Sequence, residues 1–331
     1  MSTKKTQRAT VMSFFAGCGG LDLGFLGGFN WHGESFRRLP FDVVTALDNN
    51  EQAIATYNRN IPGNHGAVVD LAKVLTSSLA PADVLIGGFP CQDFSSCGPK
   101  RGLESDRGQL FRVLSRYMKK HKPKIVVAEN VPHLARMSGG TVIETILKSF
   151  EGTGYKFAVW DLFAPDFGVP QRRSRLFFIG VRNDIVESYG FPVKPVPKFA
   201  NQHRSIDWAI DDLIPIKDDS IPNQSQYFKA SKAKRGNGQG DEKNRCGEPS
   251  YTIRANAKSR VHFHHKLPRR LTVRECARLQ TFPDTFTFEH SATSSVMQIG
   301  NAVPPILGHA VASSIAKFMK SISTITKTGA A

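Results

Sequence analysis

The sequence contains a cysteine whose position would allow it to act as a nucleophile. Cys91 lies in Pro90-Cys91-Gln92, directly after the apolar run 84–86 and the sequence Gly-Gly-Phe-Pro. We therefore expect its thiol on a turn beyond the end of a buried strand. A thiol near a helix N-terminus or near cations has a lowered pKa and can act as a nucleophile. Taken alone, such a cysteine is more often an inert buried thiol.

Three charged residues could act on a substrate beside this thiol. Glu129 follows the apolar run 125–128, and a carboxyl group there could donate or accept a proton if its surroundings are dry. In an extended segment, Arg173 and Arg175 would share one face and could bind a common anionic or carbonyl group. The alternatives are a surface acid at a helix start and a solvated basic edge.

Glycines after the first apolar run indicate a turn that could bind a cofactor. The sequence 15–20 (FAGCGG) follows a run that begins at Thr10, and glycines at such a point let the backbone approach a ligand closely. Asp48, at the end of the second run, is placed to accept hydrogen bonds from a ribose. This pattern fits NAD, a flavin or S-adenosylmethionine, and a tight structural turn explains it equally well.

Short apolar runs alternate with amphipathic segments along most of the chain. Strands are predicted over 10–15, 41–47, 67–69, 84–86, 125–128 and 176–181, and helices over 52–60, 109–121, 141–150, 271–279 and 304–318. This alternation predicts an α/β fold with a parallel sheet and helices on both faces. Ligands bind beyond the carboxyl ends of such strands, which places Gly17, Asp48, Asp70, Cys91 and Glu129 along one rim.

The charge of the chain indicates a polyanionic partner. Lys and Arg number 44 against 28 Asp and Glu, a formal net charge of +16. A soluble protein this basic usually binds a polyanion, although the charge can also serve solubility. Half of the excess lies in 194–270, where apolar runs are few. We predict a basic surface module with strands at 251–253 and 261–263 rather than a disordered linker.

The cysteines and the N-terminal segment are typical of a cytoplasmic protein. The chain has five cysteines, and the absence of C-x-x-C spacing predicts free thiols and no metal site. Basic residues before the apolar stretch 11–18 imitate a lipoprotein signal, but the stretch is short and serves better as the cofactor turn. Apolar runs are too short to span a bilayer, so we expect no membrane partner.

The motifs occur in a specific order along the chain. They are 15–20 (FAGCGG), 88–95 (GFPCQDFS), 106–111 (DRGQLF), 129–131 (ENV), 168–175 (GVPQRRSR), 274–284 (RECARLQTFPD) and 300–305 (GNAVPP). This ordered set resembles that of the DNA cytosine-C5 methyltransferases and covers nearly the whole chain except about 183–248. The resemblance implies methyl transfer from S-adenosylmethionine to carbon 5 of a cytosine. It also implies a Rossmann-like methyltransferase sheet with a smaller, mostly irregular or β target-recognition domain.

The resemblance assigns roles to individual residues. Cys91 matches the nucleophile that adds to carbon 6 of a flipped-out cytosine, Glu129 the acid at N3 and the exocyclic amine, and Arg175, with Arg173 nearby, the residue at O2. Phe15 would stack on the adenine, Gly17 and Gly19 would make room for the methionine part, Asp48 would bind the ribose and Asp70 the adenine edge. The full predicted cofactor pocket is Phe15, Gly17, Gly19, Gly20, Asp48, Asn49, Asp70, Leu71, Pro90, Leu110, Asn301 and Val303. The predicted DNA contacts are Ser95, Arg107, Thr252, Arg254, Lys258 and Arg260.

The resemblance also implies a domain organisation and a biological role. Residues 1–185 and 295–331 would form the catalytic and cofactor-binding domain, 186–272 the target-recognition domain and 273–294 the joining segment, with double-stranded DNA between the domains. We expect a monomer in the bacterial cytoplasm that protects host DNA in a restriction–modification system, where a cognate endonuclease could be encoded separately. Alternatives are a nicotinamide or flavin oxidoreductase, an RNA cytosine-C5 methyltransferase and a non-catalytic DNA-binding relative. Binding of S-adenosylmethionine rather than NAD would exclude the first.

Overall fold

The computed structural model describes residues 8–89, 110–136, 141–226, 242–255 and 262–325. Its strands are β1 Ala9–Phe14, β2 Phe29–Trp31, β3 Glu34–Phe36, β4 Phe41–Asp48, β5 Gly66–Val68, β6 Val84–Gly88, β7 Ile125–Asn130, β8 Tyr155–Phe163, β9 Ser174–Arg182, β10 Glu242–Lys243 and β11 His262–Phe263. Its α-helices are α1 Gly20–Leu26, α2 Glu51–Asn60, α3 Phe111–His121, α4 His133–Arg136, α5 Thr141–Phe150, α6 Asn183–Tyr189, α7 Ile206–Ile210, α8 Val273–Leu279, α9 Ala292–Asn301 and α10 Pro305–Ile325.

One large sheet organises the part of the chain that the structure describes. Seven strands pair in the order β5-β4-β1-β6-β7-β9-β8. The first five of these run parallel to one another, so their carboxyl ends lie on the same edge of the sheet. The α/β, Rossmann-like class predicted from the sequence is confirmed.

The prediction that the sheet is parallel throughout is wrong at one side. Strand β9 pairs antiparallel with both β7 and β8. Strand β8 was not predicted. It is the edge strand of the sheet, and exposed residues such as Lys156 and Asp161 interrupt its apolar sequence. Because β9 runs antiparallel to β7, it begins at the edge of the sheet where β7 ends. Residues at the start of β9 therefore lie beside residues at the end of β7.

Helix ends follow local capping chemistry. The Asn50 side chain accepts a hydrogen bond from the backbone N–H of Ala53 at 3.0 Å, so α2 begins one residue before the predicted start. Thr272 and Glu275 form a capping box at the start of α8. The last helix, α10, runs beyond the predicted end at 318 because Met319 continues to pack into the core.

Apolar layers cover both faces of the sheet. On one face, α1 and α10 pack over residues such as Val11 and Ile86. The two helices approach so closely that a methyl group at Gly24 would lie 2.7 Å from the carbonyl carbon of Gly308. On the other face, α3 and α5 pack over residues such as Leu85. The sheet edge that carries the motifs is therefore supported from both sides.

A third apolar cluster holds the C-terminal motifs together. It joins α7 and the 3-10 helix Asp211–Leu213 to α8, to three phenylalanines that follow it and to Ile299 of α9. The helices α6 and α7 were not predicted, because each is shorter than the window over which a helical pattern is distinct. The ten-residue helix α9 was also not predicted. No helix of the described chain is long and apolar enough to cross a membrane.

The predicted basic module is mostly irregular where the structure describes it. Strands β10 and β11 form only a two-residue parallel pair, which partly confirms the prediction at 261–263. The strand predicted at 251–253 is wrong. The backbone of Ile253 is hydrogen-bonded to the side chains of Gln171 and Arg173 instead of to a neighbouring strand. Apolar patterning cannot reveal such a side-chain partner.

Candidate active site and cofactor pocket

Four of the five residues predicted along the rim of the sheet lie there. Asp48 ends β4 and Glu129 is the penultimate residue of β7, while Gly17 and Asp70 follow β1 and β5 by a few residues. Because these strands are parallel, the loops that leave them extend on the same side. Cys91 lies outside the described residues.

The turn after β1 leaves open space above its backbone. Phe15 and Gly17 have φ angles of 54° and 55°, in the left-handed region that few non-glycine residues adopt. The backbone N–H of Gly17 donates to Oδ2 of Asp48 at 2.9 Å, which joins the turn to the end of β4. A methyl group at Gly17 would meet no described atom within 4 Å. The missing side chain thus leaves room for a ligand.

The other two glycines of the turn serve packing. A methyl group at Gly19 would lie 2.3 Å from Cδ1 of Ile61 and 2.8 Å from Cδ2 of Tyr57. One at Gly20 would lie 2.4 Å from the carbonyl oxygen of Val303. The missing side chain of Gly19 therefore lets α2 pack against the turn, and its role toward the methionine part stays a prediction.

The acidic groups of the rim suit an adenosyl cofactor. Besides Gly17, Asp48 accepts a hydrogen bond from the backbone N–H of Asn50 at 2.9 Å, so each carboxylate oxygen still has acceptor capacity for a ribose hydroxyl. Asp70 is exposed and accepts from the backbone N–H of Ala72 at 3.0 Å. Acceptors beside an open turn are what a ribose and an exocyclic amine require.

The remaining predicted pocket residues divide into exposed and buried ones. Asn49 and Asn301 are exposed, and Leu110 is half-buried at the start of α3. Leu71 and Val303 are buried in the core, so they can form the wall of a pocket but not its polar contacts. Pro90 lies beyond the described part of the chain.

Glu129 and Arg175 form a buried ion pair at the rim. Oε1 of Glu129 lies 2.5 Å from Nε of Arg175, and each side chain is 10% exposed. The antiparallel register of β7 and β9 produces this contact, because Asn130 faces Leu176 and the two charged residues flank that pair. Burial raises the pKa of the Glu129 carboxyl, although Arg175 and Arg173 act in the opposite direction. A raised pKa favours the protonated carboxyl, which can donate a proton to a substrate.

The end of β6 is shaped to fit this ion pair. A methyl group at Gly88 would lie 2.8 Å from Oε2 of Glu129, so only a glycine leaves room for the carboxylate. The side chain of Asn130 donates to the carbonyl oxygen of Phe89 at 3.0 Å. The close approach at Gly88 and the hydrogen bond to Phe89 place these two residues beside the end of β7.

Arg173 differs from Arg175 in its partners. It is fully buried and donates to three backbone carbonyl oxygens, of Ile253 at 3.0 Å, Gly300 at 2.7 Å and Ala302 at 2.9 Å. The Arg173 guanidinium thus bonds to backbone carbonyls while Arg175 pairs with Glu129, and a target common to both arginines stays a prediction. Burial lowers the pKa of the Arg173 guanidinium well below its usual range. We interpret Arg173 as a residue that joins segments of the protein.

The structure describes two of the predicted DNA contacts. Thr252 and Arg254 are half-buried on either side of Ile253. The Thr252 hydroxyl donates to the backbone carbonyl of Arg172, so a contact with DNA would use its oxygen as an acceptor. The other four predicted contacts, Ser95, Arg107, Lys258 and Arg260, lie outside the described residues.

Sequence reasoning gave no role to several residues that shape the site. These are Gly88, Asn130, Gln171 and Gln280. All four lie inside the ordered motifs, and that position was the available signal. A buried amide or a glycine acts only through its neighbours, so its residue type alone does not indicate a role.

An α/β sheet with an open glycine turn, ribose-type acceptors and a buried carboxyl–arginine pair at one rim has the features of a methyltransferase that uses an adenosyl cofactor. Solved structures share this fold: Dnmt2 of S. pombe is 18% identical with a TM-score of 0.66, over 95% of this chain and 99% of that one. The Entamoeba histolytica methyltransferase EhMeth is 15% identical with a TM-score of 0.69, over 95% and 99% of the two chains.

The family model of the C-5 cytosine-specific DNA methylases matches residues 9–317, and the chain belongs to this family. It is similar to the type II methyltransferase M.FnuDI of Fusobacterium nucleatum, 30% identical over 96% of this chain and 97% of the relative. M.BspRI of Lysinibacillus sphaericus is 32% identical over 95% and 83%. The protein is a DNA (cytosine-5-)-methyltransferase, and its family implies S-adenosylmethionine as the methyl donor.

Proposed function

We propose that the protein methylates carbon 5 of one cytosine within a short sequence of double-stranded DNA, with Cys91 as the nucleophile. The observation that carries this proposal is the buried Glu129–Arg175 pair, at a rim that leads directly into the Pro90-Cys91-Gln92 motif. A cytosine between these groups would meet a carboxyl group at N3 and a guanidinium at O2. The cytosine must leave the duplex to reach them.

The reaction needs a nucleophile because carbon 5 of an intact cytosine ring is a poor one. The Cys91 thiolate adds to carbon 6, which forms an S–C bond and moves an electron pair toward carbon 5 and N3. Glu129 stabilises the charge at N3, for which its raised pKa is suited. When bound, S-adenosylmethionine would provide the electrophilic methyl group: the bond from the methyl to the sulfonium sulfur would break as the bond to carbon 5 forms, and S-adenosylhomocysteine would be the leaving group. A base then removes the proton from carbon 5, and the S–C bond breaks as Cys91 leaves.

The cofactor would be held over the open turn at Gly17. Phe15 would stack on the adenine, Asp48 would accept hydrogen bonds from the ribose and Asp70 would accept one from the adenine amine; the left-handed turn and the Gly17–Asp48 hydrogen bond support this. Asn49 and Asn301 would add polar contacts, while Leu71, Pro90, Leu110 and Val303 would line the apolar part. Gly19 and Gly20 would contribute through packing.

We propose DNA in a cleft between a catalytic domain, 1–185 with 295–331, and a recognition domain, 186–272, joined by 273–294. The basic excess of 194–270 supports this, because a polyanion attracts such a surface. Ser95, Arg107, Lys258 and Arg260 would contact DNA together with Thr252 and Arg254.

A role in restriction–modification is the biological part of the proposal. The similar proteins M.FnuDI and M.BspRI are named type II methyltransferases. A monomer would suffice, because a methyltransferase can act on the two strands in separate events. Such an enzyme would act in the bacterial cytoplasm and protect host DNA from a separately encoded endonuclease.

One experiment tests the activity and identifies the site. Unmethylated plasmid DNA is incubated with the protein and labelled S-adenosylmethionine, and the product is sequenced after bisulfite treatment. We expect label in DNA and protected cytosines in one short sequence context. Label in RNA but not in DNA would support an RNA substrate. Cofactor binding without transfer to either would indicate a non-catalytic relative.

A further inference from the structure

The backbone of Ile253 is held at both of its polar groups by side chains of one loop. Its N–H donates to Oε1 of Gln171 at 3.0 Å, and its carbonyl accepts from Arg173 at 3.0 Å. Ser250 is attached to the same loop, because its carbonyl accepts from the N–H of Arg172 at 2.8 Å and its N–H donates to Pro170 at 3.0 Å. Segment 250–253 is thereby fixed to the loop that leads into β9.

Two buried glutamines extend this connection to the cofactor side. Nε2 of Gln171 donates to the carbonyl of Leu279 at 3.1 Å and to Oε1 of Gln280 at 2.5 Å. Nε2 of Gln280 donates to the carbonyl of Ala302 at 2.6 Å. Both glutamines are fully buried. Hydrogen bonds therefore connect Ile253 through Gln171 and Gln280 to Ala302, the residue between Asn301 and Val303.

Direct packing reinforces the connection. A methyl group at Gly300 would lie 2.4 Å from the backbone carbonyl carbon of Arg254, so the two segments meet backbone to backbone. The amide groups are neutral and bind only at short range and in defined directions. Such bonds fix relative position well, and removing one leaves a buried polar group unpaired.

We propose that Gln171 and Gln280 are positioning residues that fix segment 252–254 relative to Arg175, and thereby determine how strictly the enzyme selects its DNA sequence. Thr252 and Arg254 flank the fixed residue Ile253, and Arg175 lies four residues after Gln171. When Thr252 and Arg254 contact DNA, segment 252–254 therefore determines the position of the flipped cytosine relative to Arg175. This inference rests on the proposed function of Arg175 and of the recognition segment.

The test compares Gln171→Met with the matched control Gln224→Met. Methionine keeps the length of the side chain and removes its hydrogen bonds. Gln224 is 2% exposed, donates to the carbonyls of Leu213 and Ile216, and accepts from the Thr272 hydroxyl at 2.8 Å. The control therefore loses a similar set of buried bonds without touching segment 250–254 or the residues around Ala302.

We expect Gln171→Met to lower kcat/KM for plasmid DNA by about tenfold or more and to spread methylation to non-cognate cytosines in bisulfite sequencing. Binding of S-adenosylhomocysteine without DNA should stay within about threefold. Gln224→Met should show a similar loss of melting temperature with unchanged sequence preference. Equal sequence preference in the two variants would overturn the proposal, because the glutamine would then be structural only.

A second measurement does not depend on activity. Hydrogen exchange followed by mass spectrometry should show faster exchange of the Ile253 amide in Gln171→Met and not in Gln224→Met. If Gln171→Met does not fold, Gln280→Met replaces it, with the same expected loss of sequence preference. If the Ile253 amide is protected from exchange in the wild-type protein but the protein transfers no methyl group to DNA, the proposed function is refuted. Faster exchange together with unchanged sequence preference would refute the inference that these glutamines determine sequence selection, and would leave the proposed function standing.

Discussion

Glu129 and Arg175 lie on neighbouring antiparallel strands and approach to 2.5 Å at the rim of the sheet. The two buried groups are partners of each other within the protein itself. A cytosine that enters the site must form hydrogen bonds to both Glu129 and Arg175, so binding of the base replaces an interaction that the protein already makes. Because separating the two side chains costs free energy, the site would favour a base that offers a hydrogen-bonding partner to each of them.

Replacing Glu129 with Gln should slow methyl transfer by about 100-fold or more, because an amide cannot supply a proton or a charge at N3. Affinity for S-adenosylhomocysteine should be unchanged, since Glu129 is separate from the glycine turn. Single-turnover transfer and calorimetric titration measure the two quantities. The control is Glu289→Gln, which removes an exposed carboxylate paired with Arg59 and should retain full activity. A large loss of cofactor affinity in Glu129→Gln would contradict the assignment.

Cys91→Ala should abolish methyl transfer while DNA binding survives, because only the covalent step needs the thiol. Transfer of labelled methyl groups and a mobility-shift assay measure these two properties. Cys246→Ala is the matched control, since Cys246 is an exposed free cysteine, and it should behave as wild type. Substantial turnover by Cys91→Ala would exclude the covalent scheme.

Two glycines of the turn should respond differently to alanine. Gly17→Ala places a methyl group in the open space that the cofactor would occupy, so it should weaken cofactor binding by about tenfold. Because Gly17 has a positive φ, the substitution should also lower the free energy of unfolding by about 1 kcal/mol. Gly19→Ala drives a methyl group into Ile61 and Tyr57 and should cost roughly 2 kcal/mol or more. Thermal unfolding and titration with S-adenosylhomocysteine separate the two effects. Equal losses of stability would argue against this division of roles.

Asp22 should make stability depend on pH. It is buried behind the glycine turn, where it accepts a hydrogen bond from the Tyr57 hydroxyl at 3.1 Å. Burial raises its pKa from 3.8 to about 6, with hydrogen bonds from Ser13 and Tyr57 opposing the shift. The folded state thus favours the protonated acid. Its stabilising contribution is complete below the unfolded pKa and is lost as pH rises through about 6.

Asp22→Asn removes this titration. The variant should be more stable than wild type at pH 7.5, by up to the order of 3 kcal/mol, and the difference should vanish near pH 4. Melting temperatures of both proteins across this range measure the difference. A gap between the two that stays constant from pH 4 to pH 7.5 would show that Asp22 does not titrate as proposed.

Much of the fold could be predicted because local patterns report burial directly. Each parallel strand of the sheet is a short apolar run. A turn or a polar residue of the predicted cofactor or cytosine site follows these runs, as at Gly17 and Asp48. The exposed edge strand β8 and the short helices escaped prediction, because partial burial and short length weaken the periodic signal.

The sequence by itself determined the family, the parallel part of the sheet and the types of residue at the rim, because these depend on composition and order along the chain. Only the tertiary structure decided that Arg175 meets Glu129 while Arg173 binds the carbonyls around Ala302. It also decided that Gly19 serves packing, whereas Gly17 leaves a space open. Strand direction and backbone proximity depend on residues far apart in the chain, as in the 129 positions between Arg173 and Ala302, and local patterns carry no information about such partners.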